Sequence, residues 1–493
     1  MSTGARGTEA TLTLLLLLSA ACNVGPKYRV PAVPAPPAFT EAPPAAFAES
    51  QEWKTAAPGD AAAKGKWWEA FRDQELNALE EQVEVDNQNL KSAAARFEQA
   101  RALVQVRRAD RLPEAGAGAS ITHARISANR AVPVPPADNP AGDFSLGFQA
   151  SWEPDLWGRI RNQVAAAVQD AQAVAADMEN ARLSLHAELA LDYFDLRTLD
   201  EERTILENAV DAYQKALELT ESRYRGGVAT RVEVAEARTQ WEATCAQAID
   251  VTDLRAQLQH AIAVLTGRPP EGFTVAARAG AVSLPAIPTG VPSALLERRP
   301  DIAGVERRVA AANSEVGFAT AAFYPRVLLA AAVGLEGSSI TNWLNWPARL
   351  WAIGPSAAQT LFDAGRRRAA LRESTANYDA LVAEYRQSVL TAFQQVEDHL
   401  SSLRILEAEA QRQQRAVESA RESENLSLNR YKGGLVTYLE VVTAQSIRLQ
   451  NERAALSIER RRREASVLLI RALGGGWNAS SLPSAGALKA SGN

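Results

Sequence analysis

The side chains that most often catalyse reactions or bind metals are few and scattered in this 493-residue sequence. The sequence has four histidines, and none lies close enough to another to form a metal-ligand motif. They are His123, His186, His260 and His399. Charges cluster in "ERRPDI", residues 297–302, but a proline after two arginines is typical of a helix start, and the helix dipole favours Asp301 in the first turn. We find no nucleophile elbow and no phosphate-binding loop. The sequence therefore argues against an enzyme, and it predicts neither a metal site nor a non-covalent cofactor.

Composition sets a second limit on function. Hydrophobic residues make up 46% of the chain, which is ample for a core, and charged residues make up 23%. The formal net charge is -5. Proteins that bind nucleic acid usually carry a basic patch or a basic net charge. No nucleic-acid partner is therefore expected.

One cysteine does lie where covalent chemistry is expected. The N-terminus has a short polar segment with Arg6, an apolar run over residues 12–18, small residues, and then Cys22. Residues 1–21 are predicted to be a secretory signal, because the apolar run is too short to span a membrane. The segment resembles the bacterial lipoprotein signal, although Ser19 replaces the usual leucine. This resemblance implies a covalent lipid on Cys22, and a plain signal peptide with an incidental cysteine is the alternative.

The distribution of proline and glycine divides the rest of the chain. Residues 22–65 are rich in proline and alanine, a composition that favours an extended and poorly packed tether. Two later stretches lack both glycine and proline over 67 residues each, Arg159–Arg225 and Arg366–Lys432. A straight helix of that length reaches about 100 Å. A globular core does not require helices of this length.

Nearly the same sequence ends both long stretches. "RYRGGVATRVEV" begins at Arg223 and "RYKGGLVTYLEV" begins at Arg430, and each contains a pair of glycines. Glycine accepts the positive φ that a chain reversal at a helix end requires. Each half is therefore predicted to form a long helix, a tight turn and a returning helix.

The spacing of apolar residues indicates that these helices pack as coiled coils. The residues that follow the alternating three-and-four spacing in the first half are Leu196, Leu199, Leu206, Val210, Tyr213, Leu217 and Tyr224. The predicted hairpins consist of helices 158–225 and 228–266 in the first half, and of helices 365–432 and 435–473 in the second.

Segments with a period of two precede each long helix. In "DFSLGFQASWE", residues 143–153, apolar and polar side chains alternate. Alternation over about ten residues is typical of strands in outer-membrane barrels, and aromatic residues near the strand ends favour the membrane interface. The predicted strands are residues 114–126, 143–154, 327–336 and 349–361. Ordinary soluble β-hairpins are the alternative.

The body of the chain is predicted to be one duplicated unit, residues 66–290 and 291–475, followed by a tail at 476–493. Four strands cannot close a barrel, and open edges leave unpaired backbone groups in lipid. Three copies would supply twelve strands and six helical hairpins. The predicted fold class is therefore an α+β membrane protein, with four transmembrane strands and two long coiled-coil hairpins per protomer. It closes as a trimeric 12-stranded β-barrel continued by an α-helical barrel.

Several motifs together resemble a known family. They are "CNVGPKY", "WWEAFRDQELNALEEQVEVDNQNL", "VPSALLERRPDIAGVE", "FYPRV", "FDAGRRRAAL" and the two near-repeats. The sequence resembles the TolC-like outer-membrane efflux proteins, in the lipoprotein branch typified by OprM and NodT. The resemblance implies a lipid-anchored homotrimer in the cell outer membrane that extends into the periplasm. It further implies the exit duct of a tripartite efflux system, which passes drugs, toxic compounds or metal ions from an inner-membrane pump of the RND type and a periplasmic adaptor.

The resemblance also implies that the two turns form a periplasmic gate. Its residues are Arg223, Tyr224, Gly226, Gly227 and Glu233 in the first turn, and Arg430, Tyr431, Gly433, Gly434 and Glu440 in the second. The arginines and tyrosines would hold the hairpins together. The glutamates, where the family often has aspartate, would ring the pore axis with negative charge that attracts cations. Solvated charges and ordinary coiled-coil tyrosines are the alternative.

Two other functions are open at this point. The chain is alternatively a periplasmic coiled-coil adaptor or structural lipoprotein, or the exit duct of a protein-secretion system. An adaptor does not need four aromatic-flanked strands of bilayer length. The period-two segments therefore favour the duct.

Overall fold

A computed structural model describes residues 23–41, 65–125, 127, 129, 140–278, 280, 284–285, 287 and 295–489. The predicted signal segment and Cys22, the expected lipidation site, lie outside the described residues, as do residues 42–64 of the predicted tether and most of the loop before residue 140.

Each half of the chain begins with helical structure, continues with two strands and ends with a long helix followed by a shorter one. The first half has α1 (Gln74–Asp86), α2 (Gln88–Ala109), β1 (Glu114–Ala124), β2 (Ala141–Trp152), α3 (Arg159–Arg225) and α4 (Arg231–Leu265). The second half has α5 (Pro300–Ala321), β3 (Arg326–Gly337), β4 (Arg349–Ala358), α6 (Arg366–Lys432) and α7 (Tyr438–Ala472). A 3-10 helix at Trp67–Phe71 precedes α1, and a single helical turn at Leu295–Arg298 precedes α5.

The two helices of each hairpin differ in length. α3 and α6 contain 67 residues each, and α4 and α7 contain 35 each. α4 and α7 begin three residues later than the predicted starts at 228 and 435. The cause is local, because the amides of Val228 and Ala229 still donate to the Arg223 carbonyl within the turn. Among the described residues, none of the helices is apolar enough over a sufficient length to cross a membrane.

The four strands form one antiparallel sheet in the order β1-β2-β3-β4. β4 ends at Ala358, not at the predicted residue 361, because its partner strand begins opposite it at Arg326. β1 ends at Ala124, two residues early, and β2 begins two residues before its predicted start, because Ala124 pairs with Ala141 beside the loop. Strand ends are therefore set by the partner strand.

The strand register gives the sheet one apolar face and one face of mixed polar and small residues. Directly paired residues share a face, so Phe148 of β2 lies beside Val333 of β3, which lies beside Trp351 of β4. On the opposite face the hydroxyls of Ser120 and Ser145 are 2.8 Å apart. In a single copy Phe148 is 61% exposed and Trp351 is 75% exposed. The described part of the chain therefore leaves the apolar face uncovered.

The main hydrophobic core lies around the middle of the two long helices. It joins the 3-10 helix and α1 to α3, α5, α6 and α7. Its most deeply buried members include Leu76, Leu189, Tyr193, Val309, Val389, Val396 and Val467. This core fixes the long helices relative to each other, and the turns lie beyond it.

The described part of the predicted tether is packed against the helices, which corrects the expectation of a loosely packed segment. The amides of Thr40 and Glu41 donate to the two carboxylate oxygens of Glu397 in α6, at 2.7 and 2.9 Å. Phe39 contacts the main core. A proline-rich chain has few free amides, so it can lie extended on the helices with little unsatisfied backbone. We call residues 23–41 the N-terminal strap.

Candidate functional site: the tips of the two helical hairpins

Each hairpin turn has the hydrogen bonds of a Schellman motif. After α3, the amide of Gly227 donates to the carbonyl of Tyr224, and the amide of Val228 donates to the carbonyl of Arg223, both at 2.9 Å. Equivalent bonds close the turn after α6. This motif satisfies carbonyls that a helix end leaves without partners. The two turns therefore share one backbone geometry.

Only the second glycine of each pair has a positive φ. The φ angle is 72° at Gly227 and 75° at Gly434, whereas it is -80° at Gly226 and -76° at Gly433. The left-handed conformation costs other residues roughly 1–2 kcal/mol. A Cβ added at Gly226 would meet its nearest atoms at 3.6 Å, an ordinary contact. The turn therefore needs glycine at its second position, and sequence reasoning did not distinguish the two positions.

Glu233 joins the two hairpins through backbone amides. Its carboxylate accepts a hydrogen bond from the Thr230 amide at 2.7 Å, which completes a capping box at the start of α4. It also accepts from the amide of Tyr438, the first residue of α7, at 3.2 Å. Burial disfavours the charged carboxylate, but these hydrogen bonds outweigh that effect and lower the pKa of Glu233. An ionised Glu233 therefore caps both α4 and α7.

Arg223 binds the end of the second long helix. Its guanidinium donates to the carbonyl of Tyr431 at 2.9 Å and lies 4.6 Å from the centre of the Tyr431 ring. Carbonyls at a helix C-terminus carry partial negative charge, and amides at an N-terminus carry partial positive charge. The first hairpin therefore supplies a cation, Arg223, to the end of α6 and an anion, Glu233, to the start of α7.

The two tip tyrosines lie in different environments. Tyr431 is 1% exposed, and its hydroxyl donates to the Thr220 hydroxyl at 3.3 Å. Its ring packs edge-on against Tyr438, with ring centroids 5.4 Å apart. Tyr224, at the equivalent position, is 47% exposed. Of the two, Tyr431 is the one buried between the hairpins.

Arg430 and Glu440 form an ion pair within the second hairpin. Their side chains meet at 2.9 Å and are 56% and 38% exposed. Exposed pairs of this kind contribute about 0–1 kcal/mol, because water screens them. Arg223 therefore contacts the other hairpin, whereas Arg430 bonds to a residue of its own hairpin.

Four apolar side chains at the tips were missed by sequence reasoning. They are Val228 (69% exposed), Val232 (65%), Leu435 (75%) and Leu439 (58%). Their signal in the sequence is that apolar residues recur at equivalent positions beside both glycine pairs. Across the part of the chain that the structure describes, no group of His, Cys, Asp or Glu side chains is arranged to hold a metal ion. The tips therefore combine polar contacts between the hairpins with exposed apolar side chains that lie among exposed cations such as Arg225 and Lys432.

Comparisons with known proteins agree with this arrangement. The family model described as outer membrane efflux protein matches residues 79–268 and 291–475. The pyoverdine export outer membrane protein OpmQ of Pseudomonas aeruginosa is 33% identical over 440 residues, which cover 87% of this chain and 92% of that protein. Outer membrane protein OprJ of the same organism is 30% identical over 483 residues, 96% of each chain. The solved outer-membrane channel OprN has a TM-score of 0.83 at 32% identity and covers 92% of this chain and 100% of that one.

The two matched ranges contain the two hairpins with their tips, and the coverage of the relatives is nearly complete. The resemblance drawn from the sequence motifs is confirmed. The chain belongs to the outer membrane efflux protein family, whose members are channels in the outer membrane.

Proposed function

We propose that this chain is the exit duct of a tripartite efflux system. Three copies would close a 12-stranded barrel across the outer membrane, continued by six helical hairpins as a tube through the periplasm. The proposal rests mainly on the sheet, which has one apolar face, one face of mixed polar and small residues, and two edges that are open among the described residues. It leads directly into helices about 100 Å long.

The open edges call for partners from other copies. Among the described residues, β1 and β4 each pair on one side only. Unpaired backbone groups in lipid cost several kcal/mol each, so an isolated sheet would be unstable in a membrane. Pairing β4 of one copy with β1 of the next continues the antiparallel order, and three repetitions give an even strand number.

The tip contacts support a gate that is closed at rest. Arg223 and Glu233 of the first hairpin hold both ends of the second turn within one copy. In a trimer, Glu233 would supply three carboxylates around the axis, a field that attracts cations, and Glu440 would add three more once it leaves Arg430. Opening would require the second hairpin to leave Arg223 and Glu233.

The relatives support small molecules as the cargo. OpmQ is named for pyoverdine export. A passive tube leaves the choice of cargo to its pump, so we propose drugs, toxic compounds or metal ions. They would arrive from an inner-membrane pump of the RND type through a periplasmic adaptor that contacts the tips.

The N-terminal strap supports a covalent lipid on Cys22. Asn23, the next residue, exchanges hydrogen bonds with the side chain of Asn162 at 3.0 and 3.3 Å. The amide of Val24 donates to the Trp157 carbonyl at 3.4 Å. These contacts hold the residue after Cys22 beside the end of β2, so an attached acyl chain would reach the periplasmic leaflet.

Labelling with a membrane-impermeant maleimide tests whether the chain crosses the outer membrane. In a Cys245→Ser background, Ser338→Cys in the loop between β3 and β4 should react in intact cells. Val228→Cys at the tip should react only after the outer membrane is permeabilised. A periplasmic adaptor or structural lipoprotein would leave both positions protected in intact cells, and that result would overturn the proposal.

A further inference from the structure

The helix that follows β4 carries arginines whose counterparts in the first half are neutralised. After β2, Arg159 binds Glu153 at 2.8 Å, and Arg161 binds Asp155 at 3.2 Å. The equivalent arginines of the second half, at the start of α6, are Arg366 and Arg368.

The residues equivalent to those two carboxylates are uncharged. When "WEPDLWGRIR", residues 152–161, is aligned with "QTLFDAGRRR", residues 359–368, Thr360 replaces Glu153 and Phe362 replaces Asp155. The duplication thus provides an internal comparison, in which the basic residues are kept and their partners are lost.

The structure leaves these two arginines exposed and without a carboxylate partner. Within the described residues, no carboxylate lies at ion-pair distance from Arg366 or Arg368. Both side chains are exposed. Arg367, between them, binds Asp363 at 2.6 Å. Two positive charges are therefore available at this point of the chain.

Apolar side chains lie between these charges and the end of β4. Leu361 is 91% exposed and Phe362 is 87% exposed. Near the same end of the sheet, the rings of Trp157 and Tyr324 stack with centroids 4.9 Å apart. Aromatic residues favour the membrane interface, and arginines beyond an apolar segment favour phosphate head groups. The order from strand to apolar pair to arginines matches the order from acyl chains to head groups.

We propose that Leu361, Phe362, Arg366 and Arg368 form a binding surface for anionic phospholipids of the periplasmic leaflet. Residues two apart on a helix point to different sides, so each guanidinium would bind a separate head-group phosphate, which suits its planar donor geometry, and the apolar pair would contact the first acyl carbons. The inference rests on the proposed placement of the sheet in the outer membrane.

A neighbouring copy would not neutralise this site. If β4 pairs with β1 of the next copy, the adjoining segment is residues 107–114. That segment brings the carboxylates of Asp110 and Glu114 but also three arginines, namely Arg107, Arg108 and Arg111. The junction between copies therefore keeps a net positive charge, which an anionic lipid would balance.

Native mass spectrometry of the full-length trimer tests the site, with phosphatidylglycerol and phosphatidylethanolamine added at equal concentration. A basic residue near an anionic surface contributes about fivefold to binding. We expect wild type to retain phosphatidylglycerol over phosphatidylethanolamine by at least about fivefold, and Arg366→Gln/Arg368→Gln to lose this preference. Arg412→Gln/Arg415→Gln removes the same charge from α6 about 70 Å away and should keep the preference.

Two results would overturn the proposal. One is equal retention of phosphatidylglycerol by wild type and by Arg366→Gln/Arg368→Gln. The other is dissociation of the variant into single copies, which would assign the arginines to carboxylates of the next copy. Conductance in planar bilayers separates this test from the duct itself, since a conducting variant with unchanged lipid retention refutes the lipid site alone.

Discussion

Glu80 is a fully buried carboxyl away from the tips. Its Oε2 lies 2.6 Å from Nδ1 of His186, and the ring of Trp68 stacks on the imidazole with centroids 4.4 Å apart. Burial raises the pKa of Glu80 to about 7, against an opposing effect of the hydrogen bond to His186. The folded chain therefore favours the protonated carboxyl up to near-neutral pH.

This shift predicts a pH dependence of stability. The unfolded chain ionises Glu80 near its ordinary pKa of 4.5, so the contribution of Glu80 to the free energy of unfolding should fall as pH rises from about 4.5 to about 7. Glu80→Gln cannot ionise and should remove this part of the slope. Thermal unfolding of the detergent-solubilised protein across that range measures it. Glu81→Gln, whose side chain is 61% exposed and paired with Lys66, is the control. Identical slopes for Glu80→Gln and wild type would contradict the account.

The two glycines of the first turn allow a sharper substitution test. Gly227→Ala should destabilise the hairpin tip by roughly 1–2 kcal/mol, because alanine must adopt the left-handed conformation there. Gly226→Ala should cost much less, because φ is -80° and the added Cβ makes ordinary contacts. Amide hydrogen exchange over residues 220–235 reports the difference. Equal loss of protection in both variants would show that the turn geometry is assigned wrongly.

A buried ionic network links α3 to its neighbouring helices. Arg197 is 1% exposed and binds Glu75 of α1 and Asp200 of its own helix. Asp200 also binds Arg255 of α4 at 2.6 Å. The equivalent arginine of α6, Arg404, is 47% exposed in its side chain and binds the N-terminal strap. The duplicated halves thus place the same residue in two different environments.

This difference predicts unequal costs for one substitution. Arg197→Ala should lower the free energy of unfolding by about 3 kcal/mol, because it removes a buried cation from the partly exposed Glu75 and from the buried Asp200, which keeps Arg255 as a partner. Arg404→Ala should lower it by at most about 1 kcal/mol, because its pair is exposed. Chemical denaturation followed by circular dichroism gives both values. Similar losses for the two variants would refute the buried network.

The type and approximate extent of the long helices and of the strands were predictable from the sequence. The 67-residue stretches without glycine or proline are helices, and the period-two segments are strands. Element ends were less predictable where a contact outside the element sets them. β4 stops where β3 begins, and α4 starts only after the amides at Val228 and Ala229 have bonded back to Arg223.

The contacts between the two hairpins could not be predicted from the sequence around each turn. Arg223 and Arg430 lie in nearly the same motif, yet the first binds a helix end across the hairpins and the second binds Glu440 beside it. The difference comes from how the hairpins are placed by the core around the middle of the long helices. The N-terminal strap escaped prediction for a related reason, because its composition indicates an extended chain but not what it packs against.

At the scale of the whole molecule, the two duplicated hairpins have different contacts and different tip surfaces. One hairpin holds the other through Arg223 and Glu233, and a ring of three copies would alternate the two kinds of tip. Arg231 begins α4 where Tyr438 begins α7. A gate and an adaptor would therefore meet two different surfaces in turn around the ring.

The central claim is that three copies form a duct that is closed at the tips and able to open. The most direct test is single-channel recording of the purified protein in planar lipid bilayers, comparing wild type with Arg223→Ala/Glu233→Ala, which removes both contacts from the first hairpin to the second. We predict a small, cation-selective conductance for wild type and a several-fold larger one for the variant, because the second hairpin is released. Complete absence of conductance from both proteins, with intact trimers in the bilayer, would contradict the account.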